Sequence, residues 1–291
     1  MNDLPPLKRV AAIHDLSGFG KCSLTVALPV ISATGVECAC IPTAVLSTHT
    51  GEFDDYTFRD LSDGMLGAAK HWKKEGVTFD GIYSGYLASP EQELLLEEII
   101  KTLADEKTLV VADPVMADHG EYYAGFDSRM KDAFVRLCGV ADVITPNMTE
   151  AALLTETAYR AAPYGREYVE EMLNSLLSLG PKTVAITGAQ LSSDEIGIAA
   201  KSRDSGESFF VSRPVHQGVF HGTGDLFASA FTAMLVRGAE LEQALETAVS
   251  FVGESIERTV RRGTPRRFGV DFEGALGAYI RRVEEVFRSP K

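Results

Sequence analysis

Two glycines and an acid open a small-residue segment late in the chain. Residues 221–230 read His-Gly-Thr-Gly-Asp-Leu-Phe-Ala-Ser-Ala. Glycines let the main chain approach a phosphate closely, and the unpaired N–H groups of a helix start point towards it. We therefore expect an anion hole at Gly222, Thr223 and Gly224. Asp225 is suited to accept the proton of an attacking hydroxyl; the alternative is an ordinary Asp in a first helical turn, where the helix dipole favours it.

A group of oxygen donors follows two predicted strands. Asp113 comes directly after one apolar run, and Asn147 and Glu150 come shortly after another. Oxygen ligands of this kind suit Mg²⁺, often through water, with nucleotide phosphates completing the shell. The alternative for the second segment is a helix cap, because Asn is favoured at that position. Together with Asp113, the pattern favours a Mg²⁺ site.

Short β-branched runs alternate with segments of helical period up to about Thr187, which predicts βαβ units and a parallel sheet. Ligands of such open sheets bind beyond the carboxyl ends of the strands, where Asp113 and Asn147 stand. The expected strands lie near residues 10–13, 37–46, 81–84, 108–112, 143–145 and 183–187. The expected connecting helices lie over residues 23–33, 61–74, 90–103, 128–137 and 167–179.

The last third of the chain departs from this alternation. Residues 196–202 and 208–213 flank a polar turn that ends in Gly206, which predicts a hairpin at one edge of the sheet. No linker divides the sequence, so we expect one domain over residues 1–291 with a three-layer α/β/α fold. Three further helices are expected near residues 225–237, 241–258 and 272–288.

Composition limits the partners. The formal net charge of −13 at pH 7 opposes attraction to nucleic acid or to an anionic membrane, so small molecules are the expected ligands. The four cysteines lack the density and pairing of a disulfide framework, which favours reduced thiols in a cytoplasm. The first residues lack the pattern of a signal peptide, and no apolar run reaches membrane-spanning length. A cytoplasmic protein is the expectation.

The segment after the first strand, residues 15–21, opens a helix and superficially resembles a dinucleotide-binding turn. The full G-x-G-x-x-G pattern is absent, because Gly18 and Gly20 lead to Ser23 rather than to glycine. A substrate-binding turn is the better functional interpretation, with a plain strand-to-helix turn as the alternative. His14 could touch a substrate, but a lone His is more often a structural hydrogen-bonding group.

Several stretches, in family order from about residue 9 to the last helices, resemble the ribokinase-like superfamily and, within it, the pyridoxal/pyridoxamine kinase group. Six motifs in order are much more specific than a single glycine-acid motif. They are Ser17-Gly18-Phe19-Gly20, Ser47-Thr48-His49-Thr50-Gly51, Ser84-Gly85-Tyr86, Asp113-Pro114-Val115-Met116, Thr145-Pro146-Asn147-Met148-Thr149-Glu150-Ala151 and Gly222-Thr223-Gly224-Asp225.

The resemblance implies transfer of the γ-phosphoryl group of ATP to the 5′-hydroxyl of pyridoxal, pyridoxamine or pyridoxine. It makes Asp225 the catalytic base, residues 222–224 the anion hole, and Asp113, Asn147 and Glu150 part of the Mg-ATP site. A homodimer is implied, and a monovalent cation is left open. The nucleotide contacts would be Asp118, Tyr122, Thr187 and Gly188, and the vitamin contacts Ser17, His49, Thr50 and Tyr86.

Departures from the sequence motifs of the superfamily narrow the choice of substrate. Many sugar kinases carry a double glycine near the N-terminus and a D-T-x-G-A-G-D motif, and this chain has neither. Hydroxymethylpyrimidine kinase stays open as an alternative, although residues 17–20 differ from its glycine-rich turn. A non-catalytic nucleotide- or vitamin-binding regulator is a second alternative, against which the retained Asp225 counts. For the late basic cluster, a solvated helix end is expected: Arg258, Arg261, Arg262, Arg266 and Arg267.

Overall fold

The computed structural model describes residues 6–288. The strands formed by these residues are β1 (Arg9–Ser17), β2 (Glu37–Leu46), β3 (Phe58–Asp60), β4 (Gly81–Ser84), β5 (Leu109–Ala112), β6 (Ala117–Asp118), β7 (Glu121–Tyr122), β8 (Val143–Ile144), β9 (Thr183–Ala189), β10 (Glu195–Ser202) and β11 (Ser208–Pro214). Nine of them form one sheet in the order β11-β10-β9-β8-β5-β4-β1-β2-β3, and β6 pairs with β7 in a separate hairpin.

Helices cover both faces of this sheet, each burying an apolar stripe against it. Within the described residues they are α1 (Leu24–Ser32), α2 (Ser62–Lys74), α3 (Pro90–Leu103), α4 (Ser128–Cys138), α5 (Met148–Leu154), α6 (Arg166–Ser178), α7 (Thr223–Val236), α8 (Leu241–Arg262) and α9 (Leu276–Phe287), with a short 3₁₀ turn at Arg266–Phe268. The buried side chains of α2 to α6 form the core on one face. Those of α1 and α7 to α9 form the core on the other, which confirms the three-layer prediction.

The middle of the sheet is parallel, as the alternating runs predict. Strands β2, β1, β4, β5, β8 and β9 are neighbours that run in one direction. Residues 10–15 of β1 are buried on both faces of the strand, which is the property that makes such strands read as continuous apolar runs. The edge hairpin is confirmed as β10 and β11, which pair antiparallel.

Two small elements escaped the sequence pattern. Strand β3 has three residues, all exposed, so it carries no apolar alternation, and it pairs antiparallel with the end of β2. The β6–β7 hairpin lies between the predicted strand at residues 108–112 and the predicted helix at residues 128–137, where no element was predicted. The predicted helices are confirmed with small differences in their bounds; α9, for example, begins at Leu276 rather than at Phe272.

The register of the parallel strands brings their carboxyl ends to one edge. Ile13 of β1 lies beside Ser84 of β4, Ser84 lies beside Ala112 of β5, and Ala112 lies beside Ile144 of β8. The residues that follow these strand positions therefore meet in one row: His14, Gly85, Asp113 and Thr145. None of the helices in residues 6–288 combines the length and apolar character that a membrane crossing requires.

Candidate active site

The start of α7 is open. Its N-cap, Gly222, has φ +78°, in the left-handed region that favours glycine. A Cβ at Gly222 would run into the carbonyl oxygen of Lys21. No side chain among residues 6–288 caps this helix start. The N–H groups of the first turn are therefore free of side-chain acceptors, and the positive end of the helix dipole lies beside them.

The carboxylate of Asp225 is held through both of its oxygens. Oδ1 accepts a hydrogen bond from Nε2 of His14 at 2.9 Å, and Oδ2 accepts the backbone N–H of Ser23 at 3.0 Å. The turn that presents this N–H is strained, because Lys21 and Ser23 have φ of 57° and 59°. The Asp225 side chain is 13 % exposed, so the carboxylate is anchored and still accessible at the edge of the sheet.

His14 is buried between two carboxylates. Its Nδ1 lies 3.0 Å from Oδ1 of Asp15, opposite the bond from Nε2 to Asp225. Burial by itself lowers the pKa of His14, but the charges and hydrogen bonds of Asp225 and Asp15 outweigh burial and raise that pKa to about 10. Gly85 makes room for the ring, since a Cβ at Gly85 would overlap the imidazole. The two carboxylates therefore favour the protonated form of His14.

The predicted substrate residues line the same end of the sheet. Ser17 is buried, and its hydroxyl donates to Oδ2 of Asp15 at 2.7 Å. Thr50 is exposed. The half-buried ring of Tyr86 stacks on Phe126, with ring centroids 5.6 Å apart and planes 25° apart. The aromatic face predicted at Tyr86 is thus backed by a ring from the segment that follows the β6–β7 hairpin.

His49, a predicted substrate residue, has both ring nitrogens engaged within the protein. Nε2–H donates to the carbonyl oxygen of Arg267 at 2.7 Å, and Nδ1 accepts the N–H of Gly51 at 3.0 Å. Burial lowers the pKa of His49, and the neighbouring ring of His221, 4.9 Å away, acts in the same direction. A hydrogen bond from His49 to a substrate would require one of these bonds to be exchanged.

Part of the late basic cluster packs beside His49, one of the predicted substrate residues. In the turn Arg266–Phe268, the ring of Phe268 lies 5.0 Å from that of Phe19, edge to face. The guanidinium of Arg267 lies over the ring of Phe53, 5.3 Å from its centroid. Arg266 and Arg267 are exposed, as expected for a solvated cluster, and the aromatic rings beside them are only partly buried.

Asn147 and Glu150 form a capping box at the start of α5. Oδ1 of Asn147 accepts the N–H groups of Thr149 and Glu150 at 2.9 and 3.0 Å. Oε2 of Glu150 accepts the N–H of Asn147 at 2.8 Å, and Oε1 accepts the N–H of Met116 at 3.0 Å. The cap weighed as an alternative is thus present, and it already uses oxygens predicted for a metal site.

Asp113 and Glu150 are nonetheless suited to a cation. Burial, followed by the carboxylate of Asp225, raises the pKa of Asp113 to about 7, against the opposing charge of His14. Burial and the charge of Asp113 also raise the pKa of Glu150, despite its backbone hydrogen bonds. A divalent cation would relieve this repulsion between buried carboxylates. Among the described residues no group of three or more His, Cys, Asp or Glu forms a metal cage, so phosphate oxygens or water would have to complete the shell.

The residues predicted to contact the nucleotide surround the start of α5. The N–H of Gly120, at the tip of the β6–β7 hairpin, donates to the hydroxyl of Thr149 at 3.0 Å. Thr187 of β9 forms a parallel bridge with Asn147, and Gly188 has φ +70° with open space beside it. The predicted set is therefore grouped on the hairpin and on β9: Asp118, Tyr122, Thr187 and Gly188.

Comparison with known proteins assigns the chain to one family. The profile of the family described as phosphomethylpyrimidine kinase matches residues 26–268. The chain belongs to this family. Pyridoxal kinase PdxY of Rubrobacter xylanophilus is 26 % identical over 270 residues, which are 87 % of this chain and 88 % of that protein. A chloroplastic thiamine biosynthetic bifunctional enzyme of Arabidopsis thaliana is 28 % identical over 260 residues, and the match spans 47 % of its length and 87 % of this chain.

Solved structures agree with this kinase family. Pyridoxal kinase from Lactobacillus plantarum is 32 % identical, with a TM-score of 0.87 over 96 % of this chain and 99 % of that one. A candidate phosphomethylpyrimidine kinase from Bacteroides thetaiotaomicron, crystallised with pyridoxal, is 37 % identical, with a TM-score of 0.90 over 94 % and 96 % of the two chains. The ribokinase-like fold is confirmed, and the chain lies in the pyridoxal kinase group of that superfamily.

Three contacts of the site were not predicted for this family member. His14 was expected to be a structural hydrogen-bonding group, and its ring does bond within the protein, but its partner, the proposed base Asp225, was not predicted. The Ser23 N–H and the missing side chain at Gly85 were not assigned a role either. One signal was available: His14 and Asp15 are polar residues that directly follow the apolar run of residues 10–13.

Proposed function

We propose that this chain catalyses ATP-dependent phosphorylation of the 5′-hydroxymethyl group of pyridoxal, pyridoxamine or pyridoxine. The observation that carries the proposal is the uncapped start of α7 beside the doubly anchored carboxylate of Asp225. The pyridoxal kinases among its relatives and the related Bacteroides structure with pyridoxal support the choice of substrate.

Asp225 accepts the proton as the substrate hydroxyl oxygen attacks the γ-phosphorus of ATP. The bond from that phosphorus to the β,γ-bridging oxygen breaks, and ADP leaves with the electron pair. The N–H groups of residues 222–224 receive the equatorial oxygens, where negative charge is spread during transfer. The carboxylate does not occupy these amides, because its oxygens are turned towards His14 and Ser23.

The metal and nucleotide assignments belong to the same proposal. Asp113, Asn147 and Glu150 would hold hydrated Mg²⁺, which neutralises phosphate charge when bound. The raised pKa of Asp113 and of Glu150 supports this, since both carboxylates gain from a nearby cation. Asp118 and Tyr122, on the β6–β7 hairpin, would cover the phosphates, while Thr187 and Gly188 would flank the nucleotide.

Phosphorylation of hydroxymethylpyrimidine is the second candidate function. The description of the matching family and the Arabidopsis thiamine biosynthetic relative favour it. Both reactions use an aromatic ring with a hydroxymethyl group, so the anion hole and the base do not distinguish them. A non-catalytic regulator is disfavoured, because Asp225 and the uncapped helix start would then serve no reaction.

Further assignments rest on the resemblance and on the architecture. One domain over residues 1–291 is supported by a single large sheet with a core on each face. A homodimer and a cytoplasmic location remain predictions that size-exclusion chromatography with light scattering and cell fractionation would test. A monovalent cation requirement remains open to assay with K⁺ and Na⁺ salts.

Steady-state kinetics on both substrate classes tests the proposed function. With saturating ATP and Mg²⁺, we expect kcat/KM for pyridoxal to exceed that for hydroxymethylpyrimidine by about tenfold or more. A reversed ratio would assign the chain to the thiamine branch instead. Calorimetric binding of ATP and pyridoxal without ADP release would favour the regulator.

A further inference from the structure

The direction of the Asp225 carboxylate is set by contacts from two other elements. A carboxylate that accepts a proton must aim a lone pair at the hydroxyl, whereas the terminal torsion of Asp is intrinsically broad. Here His14 of β1 holds Oδ1, and the N–H of Ser23 before α1 holds Oδ2. Rotation of the carboxylate would break at least one of these hydrogen bonds.

The ring of His14 is itself fixed on every side. It is 1 % exposed, and Asp15 contacts Nδ1 while the N–H of Tyr86 lies 3.1 Å from the same atom. The ring of Tyr83 lies edge-on, with centroids 6.1 Å apart, and Gly85 leaves the space that the imidazole fills. Whichever group partners Nδ1, Nε2 carries a proton towards Asp225.

From these contacts we infer that His14 is a positioning residue, which donates a hydrogen bond through Nε2–H to Asp225 and thereby orients the base towards the substrate hydroxyl. This inference rests on the proposed function. Asp15 completes the arrangement by orienting His14 from its other nitrogen, so the base, the imidazole and a second carboxylate form a buried row.

Other titratable groups surround this row of side chains. The titratable groups that face His14 or its two carboxylate partners are Asp15 on β1, Asp225 on α7, Asp113 after β5, Tyr83 on β4 and Cys22 before α1.

Two substitutions of His14 separate orientation from packing. His14→Leu removes the donor, and we expect kcat to fall by about a hundredfold, the effect of a slightly misplaced reacting group. His14→Gln keeps an N–H donor without the charge, so a smaller loss of about tenfold is expected. KM for ATP should change little in either variant. His71→Gln, on the exposed face of α2, is the matched control.

A double-mutant cycle decides whether His14 acts through Asp225. In the Asp225→Asn background, His14→Leu or His14→Gln should cost no further activity, because the group they orient is already gone. Losses that multiply in the double variant would overturn the inference, and so would a folded His14→Leu enzyme with kcat within about twofold of wild type. If the Leu variant does not fold, the same cycle with Gln applies.

An NMR titration tests the contact without any turnover. In protein with ¹⁵N-labelled histidine, we expect the His14 ring to titrate far above the ordinary range, and to move to lower pH in Asp225→Asn. An identical titration in both proteins would overturn the inference. Because this readout needs no substrate, it separates a failure of the inference from a failure of the proposed kinase activity.

Discussion

Two helix starts meet at the same edge of the sheet, and they differ in whether side chains cap their first N–H groups. At α5, Asn147 and Glu150 fold back onto the backbone and complete a capping box. At α7, Gly222 offers no side chain, and Asp225 in the first turn points away to His14 and Ser23. Both starts carry an acid three residues into the segment, yet only at α5 does that acid cap its own helix.

This difference shows which kind of helix start leaves its N–H groups free to bind an anion. A capping box satisfies the first amides of a helix and stabilises it, which removes those amides from any ligand. An uncapped start leaves the amides and the helix dipole for a phosphate, at some cost in stability. The acid can sit beside such a start because partners elsewhere in the fold hold its oxygens.

The largest effect is expected from a substitution at the start of α7. Asp225→Asn keeps the size of the side chain and should lower kcat by about a hundredfold or more, because the proton acceptor is lost. ATP affinity, measured by calorimetry, should be kept or improved, since a negative charge near the γ-phosphate is removed. Glu167→Gln, in the first turn of α6, is the control and should change activity little, because exposed dipole effects stay below about 1 kcal/mol. Near-normal turnover by a folded Asp225→Asn variant would contradict the mechanism.

A side chain at the open helix start should have the next largest effect. Gly222→Ala must displace the Lys21 carbonyl and adopt φ +78°, so kcat should drop by about tenfold or more as the amides move. Gly238→Ala, at the other end of α7 with φ +90° and open space, carries the same backbone penalty of about 1 kcal/mol. The Gly238→Ala variant should have a lower unfolding free energy and an unchanged kcat. Equal kcat values for the two variants would remove residues 222–224 from the anion hole.

The capped start is tested by Glu150→Gln. Loss of the carboxylate at Asn147 and Met116 should cost about 1–3 kcal/mol of unfolding free energy, measured in urea. If Glu150 also serves hydrated Mg²⁺, the Mg²⁺ concentration for half-maximal kcat should rise, by more than KM for pyridoxal does. Gln243→Ala, in the capping box of α8, provides the control. An unchanged Mg²⁺ requirement would leave Glu150 with its capping role and exclude it from the metal site.

The smallest expected effect concerns Asp113, which lies between the two starts. Its pKa rises from 3.8 to about 7 through burial, with Asp225 adding to the shift. The folded state therefore binds this proton more tightly than the unfolded chain does, so the contribution to stability is full below about pH 4 and is lost as pH rises through about 7. Asp113→Asn should remove that slope, by at least about 1 kcal/mol between these limits. If the unfolding free energies of the wild-type protein and of Asp113→Asn depended on pH in the same way across this window, the raised pKa of Asp113 would be contradicted.

Much of the architecture was predictable because parallel strands leave a strong local signal. Residues 10–13, 37–46 and 81–84 are short apolar runs, and the structure places a strand at each. Residues 10–13 and 81–84 are buried on both faces of their strands, which selects such runs whatever the neighbours are. β3 could not be predicted in the same way, since its three residues are exposed and depend on pairing with β2 alone.

The sequence by itself determined which residues stand at the functional edge. Asp113, Asn147 and Asp225 each follow a strand end or open a helix, and such positions are local properties of the chain. It also determined that Gly222 and Gly224 flank the helix start. These facts suffice to predict a phosphoryl-transfer site and a candidate base.

Only the tertiary structure decided how those groups are used. The bond between His14 and Asp225 joins residues 211 positions apart, and it depends on the direction of a side chain at a strand end and on the empty space at Gly85. The turn Arg266–Phe268 reaches His49 because the chain reverses after α8. A long-range contact of this kind leaves no periodic pattern in the sequence. The strands and helices that carry the two partners are each specified by their own pattern of buried residues, and that pattern does not depend on the contact.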